Sequence, residues 1–236
     1  MNQLPVNKVF IAGFAFAMTH WKKILEISLV PLVISLPLLM MLPELLMVAK
    51  QVFLAIEQTA PDTPLPEIIL PDNTGIYFIL FLYGNISLSI DMYRLVILGR
   101  QSVGIAPVFD LGKIARFFGL TLLVGMVTIV PLVLTNLLIL QFIISFLMVP
   151  ITLNFVNIAI GKPSRYRWGL SFPTHMNLFF LQVIVPILVV LLLTSLAKLI
   201  GFGVGAEWVA RVLVFYWSAI TLALCYQLLT TSEKTP

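Results

Sequence analysis

Long apolar runs separated by short polar segments make up most of the chain from residue 24 onward. A transmembrane helix needs about 20 mostly apolar residues to cross the hydrocarbon core of a bilayer. The uncharged run from Phe117 to Ile160 is too long for one crossing, so we expect it to turn near Thr135, Asn136 and Gln141. The pattern predicts an all-α polytopic membrane helix bundle, a single domain over residues 1–236. Its predicted spans are residues 24–48, 74–98, 117–135, 138–160, 178–200 and 208–229.

The first 23 residues precede these spans and carry large apolar side chains at helical spacing. These are Phe10, Phe14, Met18 and Trp21. Such a face is typical of a helix that lies in the headgroup region, so we predict an N-terminal interfacial helix over residues 1–23. The alternative is a signal peptide cleaved after Ala15-Phe16-Ala17. The basic cluster from His20 to Lys23 follows at once and disfavours export, so we expect this segment to be retained.

Composition excludes a water-soluble fold. Hydrophobic residues make up 60% of the chain and charged residues 10%, whereas soluble domains carry about 25% charged residues. The net charge of +4 does not indicate nucleic acid, because the basic residues lie between apolar runs, where they help to fix membrane orientation. Cys225 is the only cysteine, and the two histidines lack the spacing of a metal site. The sequence therefore predicts no disulfide, no metal and no cofactor.

The positions of lysine and arginine predict the orientation, because cytoplasmic loops carry the excess of these residues. With the N-terminus in the cytoplasm, the acidic, proline-rich segment from Lys50 to Asn73 lies outside. The basic residues on the outer side are then Lys50, Lys198 and Arg211. Those on the cytoplasmic side are Lys8, Lys22, Lys23, Arg94, Arg100, Lys113, Arg116, Lys162, Arg165, Arg167 and Lys234. We therefore predict a multi-pass protein of the cell inner (cytoplasmic) membrane with both termini in the cytoplasm.

Several short motifs carry a resemblance to a known family. They read MYRLVILG from Met92, ARFFG from Ala115, IAIGKP from Ile158, WGLS from Trp168 and NLF from Asn177. In this order they resemble an uncharacterised family of bacterial inner-membrane proteins. The chain is also distantly similar to the membrane domain fused to some glycerophosphodiester phosphodiesterases. The likeness covers roughly Tyr93 to Pro186, with a looser match from Phe10 to Pro31. It implies a six-span inner-membrane fold and no catalytic residues, and the phosphodiesterase catalytic domain is not recognisable here.

Ionisable and amide side chains within the predicted spans are the candidate site residues, since such groups are costly at membrane depth. Asp91 and Arg94 lie three apart on one face of the second span, with Asp91 about 10 Å from the end at Leu98. Asn154 and Asn157 repeat this spacing on the fourth span. We predict that Asp91, Arg94 and Asn154 meet in an inner-leaflet polar cluster. It is either a ligand or partner site or a structural group in which Arg94 extends to the interface.

The segment from Lys162 to His175 is basic and contains aromatic residues. Lys162, Arg165 and Arg167 are predicted to contact the membrane surface, because each such cation near anionic lipid contributes about 1 kcal/mol. RNA binding is the alternative interpretation of the same residues, and we favour the membrane. At the outer end of the last span, Glu207 and Arg211 lie four apart and predict an interfacial ion pair.

Two classes of function remain. The first is a non-enzymatic integral component of the cytoplasmic membrane that binds a lipid, such as an anionic lipid, or another membrane protein. The second is a small-molecule or lipid transporter that uses the inner-leaflet polar cluster. An enzyme is not expected, because the sequence shows no nucleophile elbow, phosphate loop or paired carboxylate motif. The polar groups gather toward the inner leaflet, whereas transport needs a polar path through both leaflets, so the first class is favoured.

Overall fold

The computed structural model describes residues 4–58, 70–135, 138–163, 169–201 and 205–232, and these are helical apart from short connections. The described helices are α1 (Val6–Gln58), α2 (Thr74–Leu98), α3 (Leu111–Thr135), α4 (Leu138–Ala159), α5 (Phe172–Phe179), α6 (Val185–Leu199) and α7 (Gly205–Ser232). A π-helical segment, Phe180–Ile184, joins α5 and α6 into one continuous helical stretch.

Within the described ranges, six helical stretches are long and apolar enough to cross a bilayer, with α5, the π segment and α6 counting as one. The chain is therefore a multi-pass membrane protein, and the predicted all-α bundle is confirmed. Helices satisfy every backbone hydrogen bond within the segment, which is why an apolar chain in hydrocarbon adopts them.

The first helix differs most from the prediction. Helix α1 contains 53 residues without a break, so the predicted interfacial helix and the first span form one helix of about 80 Å, much longer than the hydrocarbon core of about 30 Å. It also continues to Gln58, into the segment from Lys50 to Asn73, whose acidic, proline-rich composition predicts an extended loop. Residues 48–58 are rich in helix-forming Ala, Leu, Lys, Gln and Glu, which explains the extension. In the rest of that segment, residues 59–69 lie outside the described residues.

The other spans agree with the prediction at their apolar centres and differ at their ends. Helix α2 has the predicted bounds, whereas α3 begins earlier, at Leu111, and the fifth span begins earlier, at Phe172. Hydropathy detects only the apolar part of a helix, so charged first turns such as the one holding Lys113 and Arg116 are missed. Gln141 lies inside α4 rather than in a turn before it, and residues 136–137 are not among the described residues.

The buried core occupies one end of the bundle, which we call the packed end. Its helical parts are the C-terminal halves of α2, α4 and α7, that is residues 84–96, 148–159 and 219–229, together with the beginning of α1. The opposite halves of the helices expose large apolar side chains: Met40 is 77% exposed, Ile139 76% and Leu199 83%. Such surfaces suit contact with lipid tails, which are as apolar as leucine. Polar side chains buried between helices therefore concentrate at the packed end.

Close backbone contact sets the position of α1 against α2. Gly84 of α2 faces Pro31 and Ser35 of α1 so closely that a Cβ atom there would lie 2.7 Å from the Pro31 carbonyl oxygen. Small residues at membrane helix interfaces permit this approach and the van der Waals packing that comes with it. Just before this contact on α1, Ser28 Oγ accepts a hydrogen bond of 2.7 Å from the Tyr216 hydroxyl, which holds α7 to the same helix.

The connection between α2 and α3 folds back along α2. The Tyr83 hydroxyl donates to the Val108 carbonyl oxygen at 3.0 Å, and the Val108 amide donates to Ser87 Oγ at 2.8 Å. These two hydrogen bonds satisfy both backbone groups of Val108, which is itself buried. They fix the point at which α3 begins, three residues later, and hence the position of the charged first turn of α3.

Candidate functional site

Asp91 and Arg94 form the predicted ion pair on α2. The distance from Arg94 Nη1 to Asp91 Oδ1 is 3.7 Å, which is an ionic contact but too long for a hydrogen bond. The Asp91 side chain is 4% exposed and that of Arg94 is 30% exposed, so the carboxylate is enclosed while the guanidinium reaches toward the edge of the bundle. The role of the Asp91–Arg94 pair as a ligand site stays a prediction.

Asn154 and Asn157 belong to a second polar group, on α4. Asn157 Nδ2 donates to Asn154 Oδ1 at 3.3 Å, and Asn154 Nδ2 donates to the Ile151 carbonyl oxygen at 3.1 Å. The hydroxyl of Tyr226 on α7 donates to Asn157 Oδ1 at 2.7 Å. All three side chains are buried, so the group ties α4 to α7 inside the packed end.

Hydrogen bonds and ion pairs thus join the predicted residues into two bonded groups, one on α2 and one between α4 and α7, and their role as one polar cluster stays a prediction. Within the described part of the chain, no hydrogen bond or ion pair links Asp91 or Arg94 to Asn154 or Asn157. The reason is orientation: the amide of Asn157 faces α7, and Asn154 bonds to its own helix. The contribution of Tyr226 was missed. A tyrosine inside an apolar span needs a partner for its hydroxyl, and this was the available signal in the sequence.

A lateral cleft lies beside these groups, with a volume of about 270 Å³. It runs between α3 and the beginning of the fifth span, with α4 as its floor and Tyr93 and Leu222 behind it. Most of its lining is apolar, and its polar residues are Tyr93 and Gln182 together with Thr128, Ser145 and Thr152. The last three residues are half-buried, which indicates a cleft open on one side rather than an enclosed void.

A second cavity, of about 230 Å³, lies where α3 begins and α4 ends. Its charged lining residues are Asp110, Lys113, Arg116 and Lys162. We call it the basic cavity. Lys162 was predicted from sequence as a membrane-surface cation, while Arg165 and Arg167 of the same prediction lie outside the described residues. Lys113 donates to Asp110 through both its backbone amide and its ammonium group, and these contacts lower the pKa of the Asp110 carboxyl.

Three other ionisable groups have structural partners. Glu207 and Arg211 form the predicted ion pair, with a shortest distance of 2.6 Å. His175 stacks on the Phe146 ring, and its Nε2 lies 2.6 Å from the Phe146 carbonyl oxygen. Among the described residues, no three His, Cys, Asp or Glu side chains come close enough to hold a metal ion.

Comparison of the chain with protein-family models, with curated proteins and with solved structures finds no match. The resemblance noted from the sequence motifs stays a prediction. A functional assignment therefore rests on the two polar groups, the lateral cleft and the basic cavity.

Proposed function

We propose that the chain is a non-enzymatic integral component of the cytoplasmic membrane that binds a lipid from the side. The observation that carries this proposal is the lateral cleft between α3 and the fifth span. It lies within helices long and apolar enough to cross the bilayer, where the surrounding medium is hydrocarbon. An acyl chain is the molecule that such a cleft meets at highest concentration.

The distribution of polar groups supports binding more than transport. A transport path needs polar groups along the whole depth of the membrane, whereas most buried polar side chains of the described helices gather at the packed end, with Gln141 at the beginning of α4 as an exception. The opposite halves expose apolar side chains such as Met40 and Leu199. The two hydrogen-bonded groups then serve to fix the helices around the cleft, as interhelical hydrogen bonds in membranes do.

Filling the cleft should displace the lipid. Ser145→Trp places a large side chain in the cleft, and we expect lipid retained by the purified protein to fall about fivefold, since acyl-chain packing at such a site contributes roughly 1 kcal/mol. Native mass spectrometry of the protein with added dioleoylglycerol measures this. The matched control is Met126→Trp, at a position 62% exposed on the neighbouring helix α3. Equal retention by the two variants would remove the cleft as the binding site.

The proposed topology has both termini in the cytoplasm and the segment after α1 outside. In a Cys225→Ala background, Asp62→Cys should react with a membrane-impermeant maleimide added to intact cells. Gly104→Cys should react only after lysis. Gly104 is suited to this role because a Cβ atom there meets no other atom within 4 Å. The reverse labelling pattern would invert the topology and contradict the count of lysine and arginine on each side.

A further inference from the structure

Three cations from two helix ends converge on the basic cavity. Lys113 and Arg116 lie in the first turns of α3, and Lys162 follows the end of α4. Like charges brought together repel one another, and such an arrangement is stabilised when an anion lies between them. The acidic residue that lines the cavity is Asp110, which leaves a net charge of +2 among its four charged side chains.

Two of the three cations have no intramolecular partner in the described part of the chain. Asp110 pairs with Lys113, with Oδ2 and Nζ 3.1 Å apart. The Arg116 guanidinium and the Lys162 ammonium make no hydrogen bond or ion pair with any described residue, although both line the same cavity. Arginine and lysine are the side chains that bind phosphate oxygens, arginine with two parallel donors and lysine as a point charge.

The backbone fixes the position of Lys162. Gly161 has a φ of +76° and ends α4 in the left-handed conformation that favours glycine. The Lys162 amide donates to the Asn157 carbonyl oxygen at 2.8 Å, and the Gly161 amide donates to that of Ile158 at 3.1 Å. This pair of bonds is the Schellman motif. Lys113 Cε lies 3.8 Å from the position of a Cβ on Gly161, so Lys113 crosses the same turn.

The basic cavity and the lateral cleft share one face of α3. Lys113 lines the cavity and Val124 lines the cleft, and eleven residues are three helical turns, about 16 Å. Phe117 of α3 packs against Phe155 of α4, which lines the cleft, with ring centroids 4.7 Å apart. A molecule with a charged end and an apolar tail has the chemistry that suits both places.

We propose that Lys113, Arg116 and Lys162 bind a phosphate group. The source that fits the neighbouring cleft is the headgroup of an anionic phospholipid, and that source rests on the function proposed above. The cleft alone gives little selectivity for one lipid over another, because the lipid tails outside the cleft are equally apolar. Phosphate binding supplies the selectivity, with about a fivefold gain in affinity for each cation.

Three probes separate the phosphate from the tails. Dioleoylphosphatidylglycerol carries both, dioleoylglycerol has the tails alone, and inorganic phosphate has no tail. We expect the full-length protein in mild detergent to bind the phospholipid more tightly than dioleoylglycerol in native mass spectrometry. Arg116→Gln combined with Lys162→Gln should weaken phospholipid binding roughly thirtyfold and leave dioleoylglycerol binding unchanged. The control pair, Lys8→Gln with Lys22→Gln, removes the same charge from exposed positions on α1 and should bind both lipids normally.

The outcomes distinguish the proposals. Phospholipid binding and inorganic phosphate binding that are both unchanged in the Arg116 and Lys162 double variant overturn the phosphate site. So does a wild-type protein that binds both lipids equally and binds no inorganic phosphate. A double variant whose thermal stability falls while its ligand binding is unchanged would show that the cations stabilise the C-terminal end of α4. That result would also overturn the phosphate site. Binding of inorganic phosphate that this double variant loses, with phospholipid binding unaffected, supports the site with a soluble source. If the double variant no longer binds the phospholipid while the Ser145→Trp variant still binds dioleoylglycerol, the phosphate site is supported and the cleft is excluded as the lipid site.

Discussion

Arg94→Ala should lower the free energy of unfolding by about 3 kcal/mol, because it leaves the Asp91 carboxylate without its cation. The Asp91 side chain is only 4% exposed, and Arg94 Nη1 lies 3.7 Å from it. Asp91→Asn removes the charge and keeps the shape, so we expect a loss of only about 1 kcal/mol. Thermal unfolding of the purified protein in detergent, followed by size-exclusion chromatography after heating, measures both changes.

The double variant tests whether the two charges are coupled. Once Asp91 is asparagine, no uncompensated charge remains, so Arg94→Ala in that background should cost less than it does in the wild type. Arg94→Lys is the matched control, since it keeps a cation on the same face of α2 and should retain most of the stability. Strictly additive losses would show that Arg94 extends to the interface without supporting Asp91.

Gly84→Ala should also destabilise the bundle strongly. The new Cβ would lie 2.7 Å from the Pro31 carbonyl oxygen and 2.5 Å from Ser35 Oγ. Ser35 cannot turn away freely, because its hydroxyl donates to that same carbonyl oxygen at 2.8 Å. Helices α1 and α2 must therefore separate, and we expect a loss of about 1–3 kcal/mol, the usual cost of overpacking.

Gly75→Ala is the control on the same helix. A Cβ atom at Gly75 meets no other atom within 4 Å, and alanine is the better helix former, so this change should be neutral or slightly stabilising. The comparison separates the helix interface from the general effect of removing a glycine from α2. Thermal midpoints that are equal for the two alanine variants would show that α1 and α2 do not meet closely at Gly84.

Much of the fold could be predicted from the sequence. The transfer of apolar residues into hydrocarbon depends on local composition, so the centres of all six spans followed from runs of about 20 apolar residues. The ends did not follow, because a helix that leaves the hydrocarbon need not stop. Helix α1 continues through residues 23 and 24 and onward to Gln58, and α3 includes the charged turn before its apolar part. Hydropathy carries no signal for either.

In the candidate sites, contacts within one helix could be predicted from the sequence, whereas contacts between helices could not. Contacts within one helix depend on spacing along the chain, so the Asp91–Arg94 and Glu207–Arg211 pairs could be predicted from positions three or four apart. Contacts between helices depend on how each helix is rotated, and spacing does not determine that rotation. Asn157 bonds Tyr226 rather than joining the Asp91 group, and Lys162 meets Lys113 and Arg116 across a cavity. These arrangements were decided by the tertiary structure, because the packing of whole helix faces sets which side chains meet.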